Sequence, residues 1–122
     1  MGALAKLIKF YLTVNRLLMS CFGRYKSQAK SRGYSFELEK EEFKTLTVSN
    51  CHYCGQTPKS VAKSFSSSYV YNGVDRKNNT QGYHTYNVVS CCDVCNRAKR
   101  DLSYEDFTSW IGNLIKFNLE TK

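Results

Sequence analysis

The chain has 122 residues, eighteen Lys and Arg against ten Asp and Glu, and a formal net charge of +8. That length gives one domain with a modest core, and that charge points to a polyanionic partner, with nucleic acid first. Charges at Lys6, Lys9 and Arg16 interrupt the apolar N-terminus at helical spacing, which excludes a secretion signal and a membrane span. Lys6 also stands where a myristoylation motif wants Ser or Thr. An intracellular, reducing setting is expected, and there the six Cys favour metal over disulfides.

Leu4, Leu7, Ile8, Tyr11, Val14, Leu18, Phe22 and Tyr25 recur at spacings of three and four. They predict an amphipathic helix from Ala3 to near Lys30, stopped at Arg32-Gly33. Its apolar stripe is core, or a partner surface if the helix projects. Its far half carries Arg24, Lys26, Lys30 and Arg32 with no acid among them. These either track a phosphate backbone or form a solvated face. Tyr34 to Leu38 alternates like a short strand, and Lys40 to Leu46 reads as a short helix with Phe43 and Leu46 inward.

Cys51-His52-Tyr53-Cys54-Gly55 is a Cys-x-x-Cys pair with a glycine suited to a tight turn. Thr57 to Ser68 is polar and reads as a loop. Tyr69 to Asp75 reads as one strand, Asn78 to Gly82 as a turn, and Tyr86 to Ser90 as the return strand. Cys92-Asp93-Val94-Cys95 is the second pair, followed by a helix with Asn96, Arg97, Lys99 and Arg100. Ser103-Tyr104-Glu105-Asp106 has the form of a helix cap. The last helix is predicted to bury a face of Phe107, Trp110, Ile111, Leu114, Ile115 and Phe117.

Two pairs at this spacing can set four thiolates, from Cys51, Cys54, Cys92 and Cys95, around one tetrahedral zinc ion. A register with Cys91 in place of Cys92 competes; the two-residue spacing and the Asn after Cys95 favour Cys92. Cys21 and Cys91 are expected to be buried small hydrophobes.

The order of these pieces resembles the HNH endonucleases, in the zinc-bound form of the ββα-metal fold. The resemblance runs from Cys51 to about Leu102. It rests on the two Cys pairs, Val74-Asp75-Arg76, Gly82-Tyr83, Asn87-Val88-Val89 and Asn96-Arg97-Ala98-Lys99. More loosely, the flanking helices resemble those of small HNH proteins of phages and other viruses. The resemblance implies an α+β fold: a zinc-stabilised ββα-metal core, flanked by an N-terminal basic helix and a C-terminal amphipathic helix. Residues 1–48 would form the helical extension and 49–122 the nuclease domain, one compact domain overall.

The same resemblance implies roles. The four Cys hold a structural zinc. Asp75 and Asn96 hold a catalytic Mg²⁺ or Mn²⁺, and Asn87 ties down the loop between the strands. The family usually has His immediately after that Asp, as a general base; here Arg76 stands in its place. Arg stays protonated, so it suits holding a phosphate or stabilising charge rather than accepting a proton. His84 is the candidate base, with His52, Tyr83 or metal-activated water as alternatives. Arg76, Lys77, Arg97, Lys99, Arg100, Arg24, Lys26, Lys30 and Arg32 are the expected nucleic-acid contacts. The expected activity is a metal-dependent nick in DNA by a monomer. A non-cleaving nucleic-acid-binding zinc module is the second reading. A protein that recruits or inhibits another through its long first helix is the third.

Overall fold

A computed structural model describes residues 2–65 and 67–121 of the chain. Helix α1 spans Ala3–Ser31. It ends in a Schellman motif: Gly33 takes φ 78°, Gly33 N–H donates to Lys30 O, and Tyr34 N–H donates to Ala29 O. That is the left-handed stop a glycine supplies most cheaply. Helix α2 spans Lys40–Val48, with Glu41 and Glu42 in its first turn, where the helix dipole favours acids.

Two antiparallel pairs follow. Strand β1, Ser60–Lys63, pairs with β2, Ser68–Tyr71. Strand β3, Gly73–Arg76, pairs with β4, Val88–Cys91, with Asp75 opposite Val89. A single 3-10 turn, Thr85–Asn87, leads into β4. Helix α3, Asp93–Lys99, and helix α4, Tyr104–Thr121, complete the order. Strands β3 and β4 with α3 form a ββα unit, and the long helices flank it. The fold is α+β.

One core cluster joins Leu18, Cys21, Leu38 and Phe43 to Tyr69, Val74 and Val88. Residues before and after position 48 therefore share a core. Phe22 and Tyr25 both meet Phe43 edge-on, at 5.4 and 5.3 Å between ring centres. A second cluster gathers Cys51, Cys91, Cys92, Cys95 and Phe107. Both Cys21 and Cys91 are buried.

Several expectations need correction. The polar stretch from Thr57 to Ser68 is not all loop, because Ser60–Lys63 finds a partner strand; its Ser66 lies outside the described residues. Tyr69 to Asp75 is not one strand. It breaks at Asn72, which is 1 % exposed. Asn72 N–H donates to Thr47 O, and its Nδ2 donates to Ser49 O and Gln56 O. These three bonds satisfy a buried amide and divert the backbone from one sheet to the next. Residues 34–38 contribute only an isolated parallel bridge, Phe36 to Tyr83. In α4 only Phe107 is buried, while Trp110, Leu114, Ile115 and Phe117 are exposed. The first half of α1 likewise projects, with Leu4, Leu7, Ile8 and Tyr11 exposed.

Candidate active site

The four thiols converge. Cys51, Cys54, Cys92 and Cys95 have sulfurs within 4.8 Å of one another. A tetrahedral ion at a Zn–S distance of about 2.3 Å sets its sulfurs about 3.8 Å apart; Cys54 Sγ lies 3.7 Å from Cys92 Sγ. The donor set and its spacing fit zinc, and four thiolates leave no open coordination position. Burial alone would push the Cys51 thiol up, but backbone N–H groups of Cys92, Cys54 and Tyr53 outweigh it and bring Cys51 down to about 7.

The first Cys pair sits on a knuckle closed by Gly55 at φ 77°. Cys51 N–H donates to Gln56 O, and Gly55 N–H to Cys51 O. The second pair opens α3. Cys92 is its N-cap, with Sγ accepting from Cys95 N–H at 3.4 Å. A sulfur of the four-cysteine group thus also caps the start of the helix, and Asn96 lies inside the first turn rather than at its cap. The Asn96 side chain is left exposed toward a cavity.

That cavity, about 450 Å³, is lined by Asp75 and Asn96 together with Arg24, Arg32, Arg76 and Arg100. Asp75 projects from β3 and is 7 % exposed. Tyr53 Oη donates to its Oδ2 at 2.8 Å, and Lys99 Nζ lies 3.4 Å from the same oxygen. Both contacts fall on Oδ2, which leaves Oδ1 for the cavity. Burial and the Asp75 carboxylate hold the Tyr53 phenol well above its ordinary pKa, so it remains a donor.

Arg76 follows Asp75 on β3. One guanidinium nitrogen donates to Asn79 O at 2.8 Å and to Gln81 O at 2.9 Å. The guanidinium lies 3.7 Å over the Tyr34 ring. Stacking and two carbonyls fix its plane and leave its remaining donors free. Asn87 closes the β3–β4 loop. Its Oδ1 accepts from Asn78 N–H, and its Nδ2 donates to Asn78 O and Gly82 O. Gly82 is held so close that a Cβ there would overlap the Ser35 backbone and hydroxyl.

The remaining predicted contacts divide. Arg24 and Arg32 from α1 reach the cavity, but Lys26 and Lys30 lie on another face beside Gly33 and Phe36. Arg100 reaches it. Arg97 instead pairs with Asp93 at 2.9 Å, on the outer side of the Cys cluster. Lys77 lies over the Tyr104 ring, outside the cavity. Lys99 requires a correction: it is 0 % exposed and cannot touch a phosphate. Its ammonium donates to Arg76 O at 3.1 Å and reaches Asn79 Oδ1 at 3.5 Å, as well as Asp75. The structure does not bring His84 to Asp75 either. Its Nε2 meets Ser35 Oγ and its Nδ1 meets Glu37, each at 2.9 Å. His52 Nε2 meets Tyr104 Oη. Tyr83 does line the cavity.

Sequence reasoning did not assign Tyr53 and Lys99 to Asp75, nor Tyr34 to Arg76. Tyr53 lies between two cysteines, and that position was the one available signal.

The comparisons with known proteins add three findings. No family model matches the chain. The fold is similar to the solved structure of the rare-cutting HNH restriction endonuclease PacI, with a TM-score of 0.59 and 21% identity over 76% of this chain and 72% of that one. The fold is HNH-like. The chain is also 39% identical over 93 residues to uncharacterized protein R423 of Acanthamoeba polyphaga mimivirus. That match covers 76% of this chain but 16% of the viral protein, so the chain spans about a sixth of that relative's length.

Proposed function

We propose that the chain is a metal-dependent endonuclease that hydrolyses phosphodiester bonds in DNA, one strand at a time. The observation that carries this reading is the shared cavity. Asp75 and Asn96 open into a space with Arg24, Arg32, Arg76 and Arg100, and Asn96 is the residue after Cys95 of the Cys₄ cluster. The likeness of the fold to an HNH restriction endonuclease supports it.

In this reading zinc on the four thiolates is structural and fixes α3 against β3. Asp75 and Asn96 would hold Mg²⁺ or Mn²⁺ through oxygen. When bound, such an ion neutralises charge on the phosphate and the leaving oxygen and activates water. Tyr53 and Lys99 hold the Asp75 carboxylate in one orientation, so no reorganisation is needed when the substrate arrives. Arg76, fixed by Tyr34 and two loop carbonyls, grips a phosphate oxygen. Arg24, Arg32 and Arg100 add charge along the strand without reading bases. Neither histidine lines the cavity. The part of this chain in the reaction is therefore binding, orientation and charge.

Plasmid relaxation tests this. With Mg²⁺ or Mn²⁺ the protein should nick supercoiled plasmid, and Asp75→Ala and Asn96→Ala should each lower the rate by at least about a hundredfold, as expected when a charge-stabilising group is lost. Nicking that survives both substitutions sinks the reading. The position of both histidines favours a second one, a binding module that does not cut. Under it the protein shifts DNA in a gel, steeply weaker with salt, and never relaxes plasmid.

A further inference from the structure

The four arginines of the cavity have no carboxylate partners. Among the described residues the ion pairs are His84–Glu37, Arg97–Asp93 and Lys99–Asp75, and none uses Arg24, Arg32, Arg76 or Arg100. Arg24 donates to the Tyr71 hydroxyl and Arg76 to two carbonyls, so each keeps donors to spare. Among the described residues, the only carboxylate lining the cavity is Asp75. Its charge is already offset by Lys99, which is fully buried and has no other acid to pair with.

These observations set the order of binding. A divalent cation arriving alone at Asp75 Oδ1 meets a carboxylate that Lys99 neutralises, and four uncompensated guanidiniums around it. Asp75 is the one charged oxygen donor that lines the cavity; the others are neutral amides and phenols of Gln28, Asn79, Asn96, Tyr25 and Tyr83, which replace the hydration of a hard ion poorly. A phosphodiester arriving alone meets the reverse: positive charge, free N–H donors and a single acid whose charge Lys99 already offsets. Once bound, its oxygens supply both the missing ligands and the missing negative charge.

We infer that this cavity is an anion site first, which takes a phosphodiester without any divalent cation, and that the cation then binds across phosphate, Asp75 and Asn96 together. This rests on the placement of the cation under the proposed function. It makes metal affinity a property of the complex with nucleic acid rather than of the free protein. By linkage, the factor by which DNA strengthens cation binding equals the factor by which the cation strengthens DNA binding.

The test is a titration of the full, zinc-loaded chain with Mn²⁺, followed by the loss of the free-ion electron paramagnetic resonance signal. It is run with and without a short DNA duplex. Duplex affinity is measured separately by fluorescence anisotropy without added divalent ion. The duplex should bind with no added ion, and Mn²⁺ affinity should rise at least about tenfold when duplex is present. The duplex-dependent Mn²⁺ site should vanish in Asp75→Ala. Lys99→Met, by unmasking Asp75, should raise Mn²⁺ affinity in the free protein. Should that variant fail to fold, the exposed Arg100→Gln should raise it too, while weakening the duplex. Equal Mn²⁺ affinity with and without duplex, at a site lost in Asp75→Ala, overturns the inference. If the protein still nicks plasmid in that case, the endonuclease reading stands and only the binding order falls. If it neither binds duplex nor nicks, both fall.

Discussion

Asn87 and Tyr25 show how single side chains hold the ββα unit in shape. Asn87 is 3 % exposed and makes three hydrogen bonds across the β3–β4 loop. Asn87→Ala leaves buried partners unsatisfied, and each such group costs about 1–3 kcal/mol. The variant should lose about 3 kcal/mol in urea unfolding, with a parallel loss of nicking because Asp75 and Arg76 precede that loop. Tyr25 accepts from Val74 N–H, and burial pushes its pKa up to about 12. An acid whose folded pKa is raised stabilises the fold in its neutral form. That contribution is complete below pH about 10, the unfolded value, and is lost as pH rises toward 12. Unfolding free energy should therefore fall between pH 10 and 12 in the wild type, and the fall should be shallower in Tyr25→Phe. At this scale the resemblance pointed to Asp75, Asn87 and Asn96, and the structure sets Asp75 and Asn96 on one cavity and Asn87 across the β3–β4 loop. Lys99 was not. In a run of Arg97, Lys99 and Arg100 it looks like a solvated lysine, and only the packing of α3 on β3 turns it inward.

Among the elements, α3 depends most on the Cys₄ group. It has seven residues, too few to persist alone. Its N-cap is a cysteine of the Cys₄ group, and the knuckle of the first Cys pair joins it to β4 through His52 N–H on Ser90 O. With zinc on these four thiolates, as proposed, metal binding and folding of this unit would be one event. Cys95→Ser, or removal of the ion by a strong chelator, should lower the melting temperature and abolish nicking. Elemental analysis should find about one zinc per chain in the wild type, and none in the variant. The two long helical patterns, α1 and α4, were readable because their periodicity is local. Strand β1 was not, since a polar Ser-rich stretch becomes a strand only when β2 is beside it. The break at Asn72 was equally hidden. The residue reads as one more polar position in an apolar run, and its partners, Thr47, Ser49 and Gln56, come from distant sequence.

The whole molecule is unevenly anchored. Its centre is dense around Phe43, which is fully buried and met by the rings of Phe22 and Tyr25. Its two ends are not: the first turns of α1 and the last turns of α4 carry exposed Leu, Ile and Phe side chains. Phe43→Ala should cost about 3–5 kcal/mol. Deleting residues 2–12, all of which are exposed, should cost under about 1 kcal/mol in the same unfolding measurement. No helix among the described residues is long and apolar enough to cross a membrane.

The sequence by itself determined the helices, the pairing of four cysteines, and which acid and amide flank them, because each depends on spacing along a few neighbouring residues. The tertiary structure alone decided which basic residues face the cavity and which do not. That choice depends on the rotation and packing of α1 and α3 against the hairpin. A string of positive residues carries no record of which one the core will bury and which the solvent will keep.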